Sequence, residues 1–401
     1  MAVGSQGKQE VSFLKTCING INTLSGIGIL SVPYALSSGG WLSLIILILI
    51  AAAACFTGIL IRRCMDKDPE NIKSYIDIAA YAFGHKGRII ASLFTCLELY
   101  FVATGLLILE GDNLHKLSPH FALKIGGLTV DGRHAFVVLS GFMILPSMCL
   151  NDLSVLSYVS AGGVLSSLIV VVCVFCVGAT KSVGFHGKGR LFNLNGLPNA
   201  VSLYTFCYGA HATFPPIYNS MRKKKQFPMV LLLSFIICTI TYLAMAILGY
   251  LIYGQNVQSQ VTLNLPTEKV SAKVAIYTVL AGPIAKYALT VMPISTAIES
   301  RLPANYQDSK SISLIIRMAL LLSTVVLAAV FPSFQSVASL SGAFLIVVVS
   351  FLLPCVCYLK MFQVYKNWGF ELAGIVVITL MAVLVGILGT YSSIAQTVKN
   401  V

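Results

Sequence analysis

The chain has 401 residues, of which 27 are Lys or Arg and 14 are Asp or Glu; 10% are charged, 57% are apolar, and the net charge is +13. A soluble domain carries roughly a quarter charged residues, so soluble enzymes, disordered tails and nucleic-acid readers are excluded. The solvent is lipid, and the positive charge has to be read as topology.

Met1 to Glu10 is short and polar and lacks the pattern of a removable signal peptide, so it reads as a cytosolic tail over 1–11. Thr16 to Ile61 is then free of charge for 46 residues, enough for two helices, with a break at Ser37-Ser38-Gly39-Gly40. The spacing predicts spans over 12–37 and 41–61. Inside the first, Gly26 and Gly28 each weaken the helix by ~1 kcal/mol relative to Ala. Pro33 then removes an amide and clashes with the carbonyl four residues earlier.

Single spans follow over 88–111, 134–150 and 153–179. The sixth, over 199–220, repeats the first-span pattern: Cys207-Tyr208-Gly209-Ala210-His211 precedes Pro215-Pro216. Spans over 228–253 and 273–299 come next. Met318 to Leu359 is a second charge-free run, of 42 residues, split at Phe331-Pro332-Ser333-Phe334 into spans over 313–331 and 334–359. A last span covers 372–393, which makes eleven.

With the N-terminus in the cytosol, 16 of the 27 cationic residues fall on the cytosolic side and nine on the other, the sharpest marker being Arg222 to Lys225. The eleven cysteines lie in spans or at their cytosolic ends, so no disulfide framework is expected. Cys173-x-x-Cys176 reads as small apolar packing in a Val-rich helix.

Two Gly/Pro-interrupted spans in corresponding halves point to a carrier whose unwound backbone lines a cavity. The breaks lie five spans apart, an odd number, so the two halves have opposite topology. That predicts an inverted repeat of 12–180 and 181–360, with 361–401 holding the eleventh span and a non-cytosolic C-terminus. The alternative is ordinary close packing at glycines. Freed amides suit a carboxylate and freed carbonyls suit an ammonium, so a free amino acid is the natural guest.

Ionisable residues inside spans are functional hypotheses. Glu98 in the third span and Lys286 in the eighth either neutralise each other or sit in the cavity and carry a coupling proton. His211, at the second break, either contacts substrate or proton or is hydrogen-bonded in the bundle. Glu110, Asp112, Glu299 and Arg317 fall at predicted span ends, where the interface is expected to hold them. Pro146, Pro283, Pro293 and Pro354 are read as kinks. No HExxH, GxSxG or phosphate-cradling loop occurs, so no enzyme, metal or organic cofactor is expected.

Asn22 to Ala35, Ser74-Tyr75-Ile76-Asp77-Ile78-Ala79, Glu98-Leu99-Tyr100, Leu107 to Leu114 and Lys286-Tyr287-Ala288-Leu289 together resemble the amino acid/auxin permease family, and more narrowly its plant vacuolar amino acid transporters. The resemblance spans nearly the whole chain. It implies an all-α polytopic protein of the leucine-transporter type, with a 5+5 inverted repeat and one further helix. It implies secondary active transport of amino acids, driven by H+ or, as the alternative, Na+. By motif it places substrate at Ser25, Gly26, Ile27 and Gly28 and at Cys207, Tyr208, Gly209, Ala210 and His211, with Asn22 and Thr23 as neighbouring contacts. The implied location is the vacuolar membrane, with the plasma membrane as alternative, and the expected partners are lipid and a small-molecule amino acid, without nucleic acid or an obligate protein partner. Many vacuolar members carry a long acidic N-terminal extension, whereas about eleven residues precede the first span here. A transporter-like sensor and a channel are the competing functional classes.

Overall fold

A chain in lipid must satisfy its backbone internally, and nearly every described segment is accordingly helical. The computed structural model describes residues 11–125, 128–148, 156–307, 309–366 and 369–400. The expected tail at 1–10 and the turn between the fourth and fifth predicted spans, at 149–155, lie outside the described residues. The helices are α1 (Phe13–Leu24), α2 (Val32–Gly39), α3 (Ser43–Lys67), α4 (Tyr75–Leu117), α5 (Gly132–Met148), α6 (Leu156–Gly178), α7 (Leu197–Cys207) and α8 (Phe214–Ser220). They continue as α9 (Phe227–Tyr253), α10 (Val270–Glu299), α11 (Ala304–Gln307), α12 (Lys310–Val330), α13 (Phe334–Leu340), α14 (Leu353–Phe362) and α15 (Phe370–Asn400). A wide π-type stretch, Ser341–Leu352, joins α13 to α14. One short antiparallel hairpin, Leu123–Ile125 with Leu128–Val130, links α4 to α5.

Among the described residues, eight helices are long and apolar enough to cross a membrane. The other three predicted spans are the two interrupted ones, whose pieces are short, and α5, with 17 residues. The breaks have the expected cause. α1 ends at Leu24, a single tight turn covers Ile27–Leu30, and α2 restarts with Pro33 in its first turn. α7 ends at Cys207 and α8 restarts with Pro215 in its first turn. Proline fits there because its missing N–H would have no helical partner.

α4 differs from expectation. It has 43 residues rather than a span over 88–111, because Ser74 and Asp77 form a capping box that starts it early. Gly84 then turns the chain at φ 64°, a conformation glycine adopts without strain. At the other end the helix runs on to Leu117, so Glu110 and Asp112 lie within it and not at its tip. Glu110 is fully buried, and Asp112 pairs with Arg133, Nε to Oδ1 at 2.7 Å. The interfacial placement expected for Glu110 is therefore wrong, whereas Asp112 lies in a partly exposed ion pair near the end of the helix.

Two contacts define the ends of the bundle. Val11 pairs with the chain at Ser220 and Arg222, and Asn219 donates to the Lys73 carbonyl at 2.6 Å, so α1, α3, α4 and α8 meet beside the Arg222–Lys225 cluster. At the opposite end, Asn193 donates to the Ser38 carbonyl and Trp41 N–H to Arg190, joining α2 to the start of α7. The two interrupted segments thus run antiparallel.

Candidate functional site

The two breaks touch. A Cβ at Gly28 would lie 2.8 Å from Cys207 Sγ and 3.1 Å from Cys207 Cα, so any larger residue would have to push the two breaks apart or turn the sulfur away. The carbonyls left by the ended helices are taken up from one side by α9. Tyr242, fully buried, donates its single hydroxyl proton between Leu24 O, the last carbonyl of α1, and Cys207 O, the last of α7, at 3.1 Å. Cys238, one turn earlier, lies 3.6 Å from Ile21 O. Nothing in the sequence pointed to Tyr242, because its role arises only when the two breaks meet.

Removing that hydroxyl leaves two buried carbonyls short of a donor, worth about 1–3 kcal/mol. Tyr242→Phe is expected to lower the melting temperature of the purified protein and to slow uptake. Unchanged values for both would show that the bridge carries no weight.

Beside the first break lies a cavity of about 430 Å³, walled by the unwound segment, α4, α6 and α10. Ser25, Gly26 and Ile27 form one side, Ser166 and Thr278 give hydroxyls, and Lys286 closes the lining. Ser25 is fixed by a 2.7 Å hydrogen bond to Ser167 of α6. Lys286 and Asn22 meet over Gly163, where an added Cβ would fall 1.9 Å from Asn22 Oδ1 and 3.5 Å from Lys286 Cε. Asn22 Oδ1 is buried without a hydrogen-bond partner, and Lys286 has no ion-pair or side-chain hydrogen-bond partner among the described residues. A lone ammonium in a cavity of this size is an anchor for an anionic group.

The other sequence candidates are placed differently. Thr23 hydrogen-bonds back to Asn19 O within α1, at 2.8 Å. Gly28 faces Cys207, Gly209 packs on Ile346, Tyr208 meets Thr239 at 2.9 Å, and Ala210 is buried. None of Cys207 to His211 lines the cavity. Glu98 is buried with Oε2 unpartnered, and no ion pair joins it to Lys286.

His211 is fully buried against α3, its Nε2 2.9 Å from Thr57 Oγ1 and 3.0 Å from Ala54 O. A carbonyl only accepts, so Nε2 carries the proton and Nδ1, which is unpartnered, is the bare nitrogen. Its ring also packs on Phe214 and Phe351. The hydrogen bonds of His211 thus run to α3 and not into the cavity.

Residues 9–397 match the family described as transmembrane amino acid transporter protein. The chain is 50% identical to the Arabidopsis thaliana amino acid transporter AVT1I over 97% of this chain and 96% of that protein. It is 49% identical to the Arabidopsis thaliana amino acid transporter AVT1J over 98% and 92%. Among solved structures, a Na+-coupled sialic acid symporter in its substrate-bound outward-open state shares the fold, with a TM-score of 0.57 at 15% identity, over 96% of this chain and 89% of that one. These relatives are transporters, not enzymes.

Proposed function

Because the chain belongs to the transmembrane amino acid transporter family, we propose that it moves free amino acids across a membrane by alternating access around its two helix breaks, driven by protons. The single observation that carries this reading is the antiparallel contact of the breaks at Gly28 and Cys207, beside a cavity holding Lys286, which has no partner among the described residues. Antiparallel interrupted segments are what two halves of opposite topology produce. The proposed architecture is therefore eleven spans in a 5+5 inverted repeat of 12–180 and 181–360, with the last span appended and the N-terminus cytosolic. The motifs that resemble those of plant vacuolar amino acid transporters support the vacuolar membrane.

Ser25, Gly26 and Ile27 meet substrate from the first break. Gly28 and Cys207 to Ala210 form the opposing wall when the halves close, with Asn22 and Thr23 behind them. His211 holds the second break to α3 and is a positioning residue. Lys286 faces the substrate carboxylate, and Glu98 lies on the face of α4 that carries cavity-lining Leu109.

Proteoliposomes containing the purified protein test this with a radiolabelled mixture of the proteinogenic amino acids. An imposed pH gradient is expected to raise initial uptake at least tenfold over gradient-free vesicles. Uptake driven only by sodium would replace the proton and leave transport standing. Saturable binding without uptake would make the protein a sensor, and continuous single-channel currents would make it a channel.

A further inference from the structure

α4 carries a second buried acid that the reading above leaves unused. Glu110 has no exposed surface, and neither carboxyl oxygen has a hydrogen-bond partner among the described residues. Buried polar groups gather beside it. Asn113, one turn on, donates to Leu109 O and to Gln260 Oε1, both at 2.8 Å, while its own Oδ1 has no partner. Thr262, on the turn that packs against α4, is buried and likewise unpartnered.

Gln260 leads outward. Its Nε2 donates to Asp112 Oδ2 at 2.9 Å, and Asp112 accepts from Arg133, whose side chain is 17% exposed. A line of hydrogen-bonded polar groups thus runs from a partly exposed ion pair to Asn113, one helical turn from the interior carboxyl. It opens at the end of the bundle opposite the Arg222–Lys225 cluster, since α4 starts beside that cluster and runs away from it.

An ionised carboxylate without a partner inside a membrane bundle costs several kcal/mol. The charged groups on neighbouring elements do not relieve it: α5 brings Arg133 and His134, α10 brings Lys273 and Lys286, and α12 brings Arg317, yet Glu110 accepts from none of them. The carboxyl therefore sits here as the neutral acid. One residue earlier, Leu109 lines the substrate cavity, so a movement of α4 that remodels one remodels the other.

We propose that Glu110 is the binding site of the coupling proton, reached from the side opposite the basic cluster along Asp112, Gln260 and Asn113. The step is simple exchange: the O–H bond of the acid breaks, its electron pair stays on the carboxylate, and the proton passes to water admitted along the polar line. Occupancy favours the conformation described, in which the acid is buried. Loss of the proton favours one in which the carboxylate reaches solvent. This inference rests on the proton-coupled reading.

Glu110→Gln keeps shape and neutrality but cannot exchange a proton. In proteoliposomes with the radiolabelled amino acid mixture, gradient-driven uptake by this variant is expected to fall at least tenfold, while exchange of internal for external substrate at equal pH falls less than fivefold. Glu110→Asp is expected to restore the gradient response with a shifted pH profile. A Glu110→Gln response to the gradient equal to wild type overturns the proposal. So does equal loss of exchange and driven uptake in both variants, which marks a merely structural role. A wild-type protein indifferent to the gradient overturns the proton-coupled reading itself.

Discussion

Replacing Lys286 by Ala is expected to abolish gradient-driven uptake, with a loss of at least a hundredfold, while leaving the protein as stable as before or more so. The opposite signs follow from one observation. Lys286 lines the cavity with no ion-pair or hydrogen-bond partner among the described residues, so the fold bears its desolvation without a compensating contact. Translocon scales put such a residue at about 2.5–3.5 kcal/mol unfavourable at mid-helix, and truncating it removes that term. A residue kept against its own solvation is kept for what binds it. A carboxylate placed against the ammonium at about 4 Å gains several kcal/mol in a site of intermediate dielectric, enough for a hundredfold in affinity and rate.

Thermal melting in detergent and uptake by proteoliposomes separate the two effects. Lys286→Arg keeps the charge but replaces a compact ammonium by a planar fork with different hydrogen-bond geometry, so it is expected to recover only a small part of transport. Normal uptake by Lys286→Ala would make the residue a lipid-facing or packing element and would take the substrate carboxylate elsewhere. Loss of both uptake and stability would make it structural.

The parts of the site legible in the sequence were those with a local backbone cause. Gly26, Gly28 and Pro33, and Gly209 with Pro215, weaken the helix at one place in each span, and the structure ends α1 and α7 within a few residues of those positions. The charge-free runs likewise carried the helix pairs at 12–61 and 313–359, because a break of two or three polar or proline residues suffices to reverse the chain in each. Single-span boundaries fared worse where charge was used as a ruler. Glu110 and Asp112 were expected at the interface because charge is costly deeper in, yet only Asp112 finds a partner, Arg133 from α5, while Glu110 is buried with neither carboxyl oxygen hydrogen-bonded among the described residues.

Tyr242, Ser167 and Gly163 were invisible for the same reason. They lie more than 30 residues from the atoms they meet, on helices that carry no charged residue to single them out. His211 shows the intermediate case, its place at the break legible and its partner on α3 not.

The contact between the breaks carries the second large effect. At Gly28 an added methyl meets Cys207 Sγ at 2.8 Å, closer than a real Cβ sits to its neighbours, and Cys207 Cα at 3.1 Å, tighter than most real Cβ contacts. The sulfur can rotate away, but the backbone atom moves only if α7 moves with it, and Tyr242 ties α7 to α1. Overpacking of this kind costs about 1–3 kcal/mol where the surroundings cannot yield. Gly28→Ala is therefore expected to lower the melting temperature slightly and uptake at least tenfold, because the same contact must remake itself each time the halves close. Cys207→Ala removes the nearer of the two clashing atoms and little else. The double variant Gly28→Ala with Cys207→Ala is accordingly expected to regain most of the lost stability and at least a third of the lost uptake. That sets a coupling energy between two residues 179 positions apart. Additive losses in the double variant would mean that the breaks act separately. Full uptake by Gly28→Ala alone would mean that they need not touch, and the alternating movement would have to pivot on the α1–α6 contact at Ser25 and Ser167 instead.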